Sequence, residues 1–178
     1  GGATDGISKA TGTDSSTVEK VIQAGLPVII GQMAKNASTP EGASKLDTAV
    51  AKDHGSGALL DSLGSLFGGG DSNADGDKIL GHVLDSEQET ANQKIANKTG
   101  VDAATVAKIL SFLAPLVMAY LAKKKSSDNL DAGGLSDVLS QKKASNGNPL
   151  SDIATAVLDK NGDGSVIDDL IGGFLKKN

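Results

Sequence analysis

An internal repeat sets narrow limits on how this chain can fold. When the sequence is shifted by 88 residues, residues 7–38 align with residues 95–126 without a gap, and eleven of 32 positions are identical. The identical positions include the pattern TG.D..TV.K at the start and Pro27 with Pro115 further along. A repeat of this length predicts a duplicated helical unit whose two copies bury their apolar faces against each other.

The match continues into two acidic segments. At the same offset, the segment that begins at Asp71 falls on the segment that begins at Asp159. Chance similarity between two amphipathic helices would not bring both segments into register. We therefore interpret residues 1–178 as a single helical domain made of two related units, 7–84 and 95–175.

The composition favours helices over strands. The chain has three Phe, one Tyr and no Trp, so its core must consist mainly of aliphatic residues and Ala. Asp14 and Asp102 each follow Thr-Gly-x and are natural N-caps, which predicts helices over about 14–36 and 102–125. No strand is predicted, and the fold class is an all-α multihelical bundle. Apolar spacing and capping patterns predict further helices over 40–53, 59–67, 79–84, 86–98, 135–141, 149–158 and 166–175.

The longest apolar run, Ile109 to Leu121, is expected to form the central helix of the bundle. It is apolar nearly all round. A membrane-spanning helix needs about 20 apolar residues, and this run is shorter and interrupted by Pro115. The sequence therefore predicts a buried helix and no transmembrane segment.

A polar loop near the C-terminus has the spacing of a calcium-binding hand. Such a hand supplies oxygens from loop positions 1, 3, 5, 7, 9 and 12, with glycine at position 6. The alternative is a simple polar turn, because Asp, Asn and Gly also favour turns. We favour the cation site, since converging carboxylates without an ion would repel one another. In DKNGDGSVIDDL, suitable residues fill the first five of the required slots: Asp159, Asn161, Asp163, Gly164 and Ser165.

The end of this loop departs from the usual pattern. Position 12 is Leu170, where a hand carries a bidentate Glu. We expect Asp169 to supply the closing ligand, with Asp168 as the alternative. Dockerin loops of bacterial cellulosome proteins resemble DKNGDGSV and end on Asp, but this loop is one residue shorter. The sequence predicts one Ca²⁺ site of roughly micromolar to millimolar affinity.

The first copy of the loop, DSNADGDKILGH, offers a poorer set of ligands. It has His82 at position 12 and no late carboxylate before Asp85. We expect this second site to bind calcium less readily than the first. Its candidate ligands are Asp71, Asn73, Asp75 and Asp77.

Other chemistry has little support in the sequence. The net charge of −5 argues against a general nucleic-acid binder, and the absence of cysteine excludes disulfides and thiolate chemistry. His54 and His82 have no second His or Cys at ligand spacing, and no serine lies in a nucleophile-elbow pattern. The chain is not expected to be an enzyme. No signal peptide is visible, and the compartment is unknown. A soluble bacterial protein is expected, with residues 1–6 disordered or left by processing.

Three stretches together resemble one bacterial family: ADGDKILGHVL, TGVDAATVAKILSFLAPLVMAYLAKK and the terminal DKNGDGSVIDDLIGGFL. This family is known as domain of unknown function 937, the YidB-like proteins. The resemblance implies an all-helical fold of two related halves, and it brings no established activity or catalytic residues.

Two functions are consistent with the sequence. The first is a non-enzymatic helical module with a structural calcium loop, which binds a protein partner or assembles with itself. The second is a nucleic-acid- or envelope-associated regulator in which Lys123–Lys125 and Lys142-Lys143 are brought together by folding.

Overall fold

The computed structural model describes residues 2–53 and 73–144. Within these two ranges there are seven α-helices and one 3₁₀ turn, and no strand, so the all-α prediction is confirmed. The helices predicted over 59–67, 149–158 and 166–175 lie outside the described residues. The described elements are α1 (Gly2–Thr11), α2 (Ser15–Asn36), α3 (Pro40–Asp53), α4 (Asn73–Leu84), the 3₁₀ turn (Asp85–Glu87), α5 (Gln88–Thr99), α6 (Ala103–Asp128) and α7 (Ala132–Ala144).

The two longest helices, α2 and α6, begin in the same way. The backbone of Asp14 has φ −62° and ψ 147°, and that of Asp102 has φ −63° and ψ 147°. The backbone amide of Thr17 donates to the Asp14 carboxylate over 2.9 Å, and that of Thr105 donates to Asp102 over 2.8 Å. Each bond satisfies an amide that has no partner inside the helix. The predicted N-caps of both helices are therefore confirmed.

The turn before each of these helices also has the same geometry. Gly12 has φ 65° and Gly100 has φ 74°, a left-handed conformation that glycine adopts without a steric penalty. One residue earlier, the hydroxyls of Thr11 and Thr99 each donate over 2.7 Å to the carbonyl four residues back. The helices α1 and α5 therefore enter α2 and α6 through turns of matching shape.

The N-terminal residues are helical rather than disordered. Helix α1 begins at Gly2, and its residue Ile7 is fully buried in the core. Asp5 accepts a hydrogen bond of 3.3 Å from the hydroxyl of Ser15 at the start of α2. Ile7 anchors this short helix, which continues back to Gly2, and the processing alternative for residues 1–6 stays a prediction.

Helix α6 is the centre of the described fold. Every residue from Ile109 to Leu121 is buried, and α6 packs against each of the other six described helices. This confirms the prediction of a central buried helix. Among the described residues, α6 is the one helix long and apolar enough to cross a membrane, and 78% of its most apolar window is buried inside the structure. Core helices of soluble proteins have the same length and composition.

Polar contacts hold α3 and α7 against the ends of the long helices. The ammonium of Lys125 near the end of α6 pairs with Asp47 of α3 and donates over 3.1 Å to the carbonyl of Leu130 in the turn that follows. The hydroxyl of Ser136 in α7 donates over 3.1 Å to the carbonyl of Ala37 at the end of α2. The α6–α7 turn is therefore linked to α3 through Lys125, and α7 is linked to the end of α2.

The start of α5 differs from the predicted capping box at residues 86–89. The helix begins at Gln88 after the 3₁₀ turn, and Glu87, which precedes it, makes no side-chain capping bond. Asp85, the first residue of this turn, has φ 46°, which is outside the helical region. The predicted end of the helix at Gly100 is confirmed.

Candidate functional site

The predicted calcium loop lies outside the described residues. This applies to all of its candidate ligands, and binding there stays a prediction from the spacing. The ligands concerned are Asp159, Asn161, Asp163, Ser165 and Asp169, with Asp168 as the alternative to the last.

The weaker first copy of the loop has a helical backbone over most of its length. Helix α4 begins at Asn73 and includes Asp75 and Asp77, whereas Asp71 lies outside the described residues. A calcium hand requires an irregular loop over these positions, and in a helix residues two apart lie on roughly opposite sides. The backbone from Asn73 onward is therefore helical, and calcium binding by Asp71, Asn73, Asp75 and Asp77 stays a prediction.

Gly76 lies in a helix, although its place in the acidic pattern predicted a turn. It lies on α4, is buried, and faces the backbone carbonyl of Ser111 on α6. A Cβ atom at residue 76 would come well within 3.0 Å of that carbonyl oxygen, a distance that real Cβ atoms essentially never show. The glycine therefore lets two helices approach closely. The helical spacing of Ile79, Leu80, Val83 and Leu84 was a sequence signal for a helix next to Gly76. The acidic residues around Gly76 favoured a loop instead.

The remaining candidate metal ligands do not come together in the described part of the chain. Within residues 2–53 and 73–144, no group of three or more His, Asp or Glu side chains is placed to hold a metal ion. His82 is exposed in the last turn of α4, and His54 lies outside these ranges.

Folding brings one basic segment of α7 next to the lysine-rich end of α6. The ammonium of Lys142 lies 5.7 Å from the ring centroid of Tyr120, which is buried one turn before Lys123 and Lys124. Lys124 pairs with Asp128 over 3.4 Å on the same helix. Lys125 pairs with an acidic side chain as well, as described above, so this cluster is partly neutralised by its own neighbours.

The two capping carboxylates have lowered pKa values. The side-chain and backbone hydrogen bonds from Thr17 lower the pKa of Asp14 below its ordinary value of 3.8. The backbone and side-chain bonds from Thr105 do the same for the pKa of Asp102. Both groups are exposed, so these carboxylates stabilise helix starts and are not set up for proton transfer.

The caps make a prediction about pH. Because the folded pKa values lie below 3.8, the unfolded chain takes up protons first, and the stabilisation is complete above that value and declines as the pH falls through it. In the double variant Asp14→Asn and Asp102→Asn, the amide still caps the helix but does not titrate in this range. We expect its urea midpoint to fall less steeply than that of the wild type between about pH 5 and pH 2. If the urea midpoints of the two proteins fell equally steeply with pH, the lowered pKa values of Asp14 and Asp102 would be contradicted.

Comparison with known families shows the family of the chain. Residues 1–124 match the family described as bacterial protein of unknown function, DUF937. The chain belongs to this family. Comparison with curated proteins and with solved structures found no match. The DUF937 match covers α1 to α5 and most of α6, so it includes both capped helix starts and the contact between α4 and α6.

Proposed function

We propose that this DUF937 protein is a non-enzymatic helical module whose C-terminal acidic loop binds calcium structurally and which binds a protein partner or a second copy of itself. The observation that carries the calcium part is the spacing of oxygen ligands from Asp159 to Ser165.

The second acidic segment differs from the first in ways that favour a loop. Gly162 replaces Ala74, and glycine disfavours a helix by about 1 kcal/mol relative to alanine. Asp169 replaces Gly81 and supplies the late carboxylate that the first copy lacks. Both substitutions support the proposal that the second acidic segment is a loop.

Calorimetry of the full chain after removal of divalent ions tests the calcium proposal. We expect calcium to bind with a Kd of roughly micromolar to millimolar and to raise the melting temperature, with about 2.7 kcal/mol of stabilisation at a hundredfold excess over Kd. The double variant Asp159→Asn and Asp163→Asn should lose both effects. The matched variant Asp71→Asn and Asp75→Asn should keep them. No calcium heat and no thermal shift in the wild type would refute the proposal.

We also propose that the two halves, 7–84 and 95–175, descend from one duplicated unit. Support comes from the matched features at an offset of 88 residues: the caps at Asp14 and Asp102, and the left-handed turns at Gly12 and Gly100.

A second candidate function is a nucleic-acid- or envelope-associated regulatory role. It is favoured by the position of Lys142 over Tyr120, which brings the lysines of α7 close to those of α6. Titration of DNA binding against salt separates the two proposals. Binding with a steep salt dependence would favour the regulator, and no binding at low salt would exclude DNA as its target.

A further inference from the structure

The two long helices differ on one face. Most residues of α2 have the same burial as the residues of α6 that lie 88 positions later. The largest difference is a stripe on α2 that we call the open stripe, in which two residues are exposed and four are only partly buried. Its members are Gln23, Ala24, Pro27, Val28, Gly31 and Gln32. The equivalent residues of α6 are all buried, and they are Ser111, Phe112, Pro115, Leu116, Ala119 and Tyr120.

Helix α4 packs on the covered face of α6. It makes more extensive contact with α6 than with any other described helix. Gly76 lies directly against Ser111, the first of the α6 residues that correspond to the open stripe. Behind this contact, Leu80 and Val83 of α4 are buried in the core. The first unit therefore supplies the helix that covers the second unit's long helix.

By the repeat, the segment equivalent to α4 is residues 161–172. Its apolar residues follow those of α4, since Ile167 falls on Ile79 and Ile171 falls on Val83. We propose that residues 167–175, which begin within the last four residues of the acidic loop, dock on the open stripe of α2 as α4 docks on α6. This inference rests on the duplicated unit of the proposed function, and it makes the packing of the two halves reciprocal.

The chain after α7 is long enough to reach the open stripe, and it starts from a helix that contacts α2. Helix α7 ends at Ala144 and is held to the end of α2 by the bond from Ser136 to Ala37. The residues between 144 and 167 can span up to about 75 Å. Helix α2 has 22 residues and is about 33 Å long, so any point on the open stripe is within reach.

Hydrogen exchange of the full chain with a blocking substitution tests the docking. At Gly31, a Cβ atom would meet nothing within 4 Å, so Gly31→Lys is compatible with the described helices while placing a long cation on the open stripe. We expect the amides of residues 167–175 to exchange at least tenfold faster in Gly31→Lys than in the wild type. Gly81→Lys is the matched control, because a Cβ there meets only the end of the Gln88 side chain, at 3.8 Å. It should leave this exchange unchanged.

A second variant and a concentration series complete the test. Ile171→Lys changes the docking segment instead of α2 and should give the same loss of protection. Equal exchange in the wild type and Gly31→Lys would overturn the proposal. So would protection that appears only with concentration and with a dimer in sedimentation, since a second copy would then cover the stripe.

The same samples separate this inference from the calcium proposal. Protection that depends on residue 31 in a chain that binds no calcium would support docking and refute only the calcium loop. Calcium binding in calorimetry without such protection would refute docking and leave the calcium loop standing.

Discussion

Leu113→Ala is expected to lower the free energy of unfolding by roughly 2–5 kcal/mol, among the largest effects of any single substitution in the described residues. Leu113 lies midway along α6 and has no solvent exposure. Truncation removes apolar contacts and leaves a cavity that cannot collapse easily, because α6 is enclosed by helices on all sides. Urea denaturation followed by circular dichroism measures the loss.

Leu113→Met is the control for this prediction. It keeps nearly the same volume and should cost less than about 1.5 kcal/mol. If Leu113→Ala were no more harmful than Leu113→Met, the described packing around α6 would be wrong.

Gly76→Ala is expected to destabilise the protein by roughly 1–3 kcal/mol, although alanine is the better helix former. The added methyl group would collide with the backbone carbonyl of Ser111, which cannot move aside as a flexible side chain can. The α4–α6 contact must then widen, and the buried residues of both helices lose contacts.

Gly81→Ala, on the same helix, provides the matched comparison. Its Cβ would have only an ordinary contact at 3.8 Å, so the substitution should stabilise the helix by up to about 1 kcal/mol. If the structure is right, chemical denaturation shows a lower free energy of unfolding for Gly76→Ala and a higher one for Gly81→Ala than for the wild type. A stabilising Gly76→Ala would show that α4 does not approach α6 so closely.

Much of the described fold could be predicted because its signals are local. Asp14 and Asp102 cap their helices through side chains only three residues from the amides they bind, and Gly100 ends α5 through its own backbone conformation. The apolar run from Ile109 to Leu121 indicated burial on all sides without any knowledge of its neighbours. These features depend on short stretches of sequence, which a reader of the sequence can see.

The failures arose where distant contacts decide the structure. Gly76 is suited to a turn and also to close helix packing, and only the position of Ser111 decides between them. For the candidate calcium site, the sequence gives only the spacing of the ligands. Whether their oxygens converge depends on backbone geometry, which residue types do not specify.

The central position of α6 has a consequence for biosynthesis. Helices α1 to α5 precede α6 in the chain, and each of them packs against it. While the chain is being made, their apolar surfaces lack this partner until residues 103–128 have left the ribosome. The nascent N-terminal half is therefore expected to be a client for chaperones that shield apolar segments during translation.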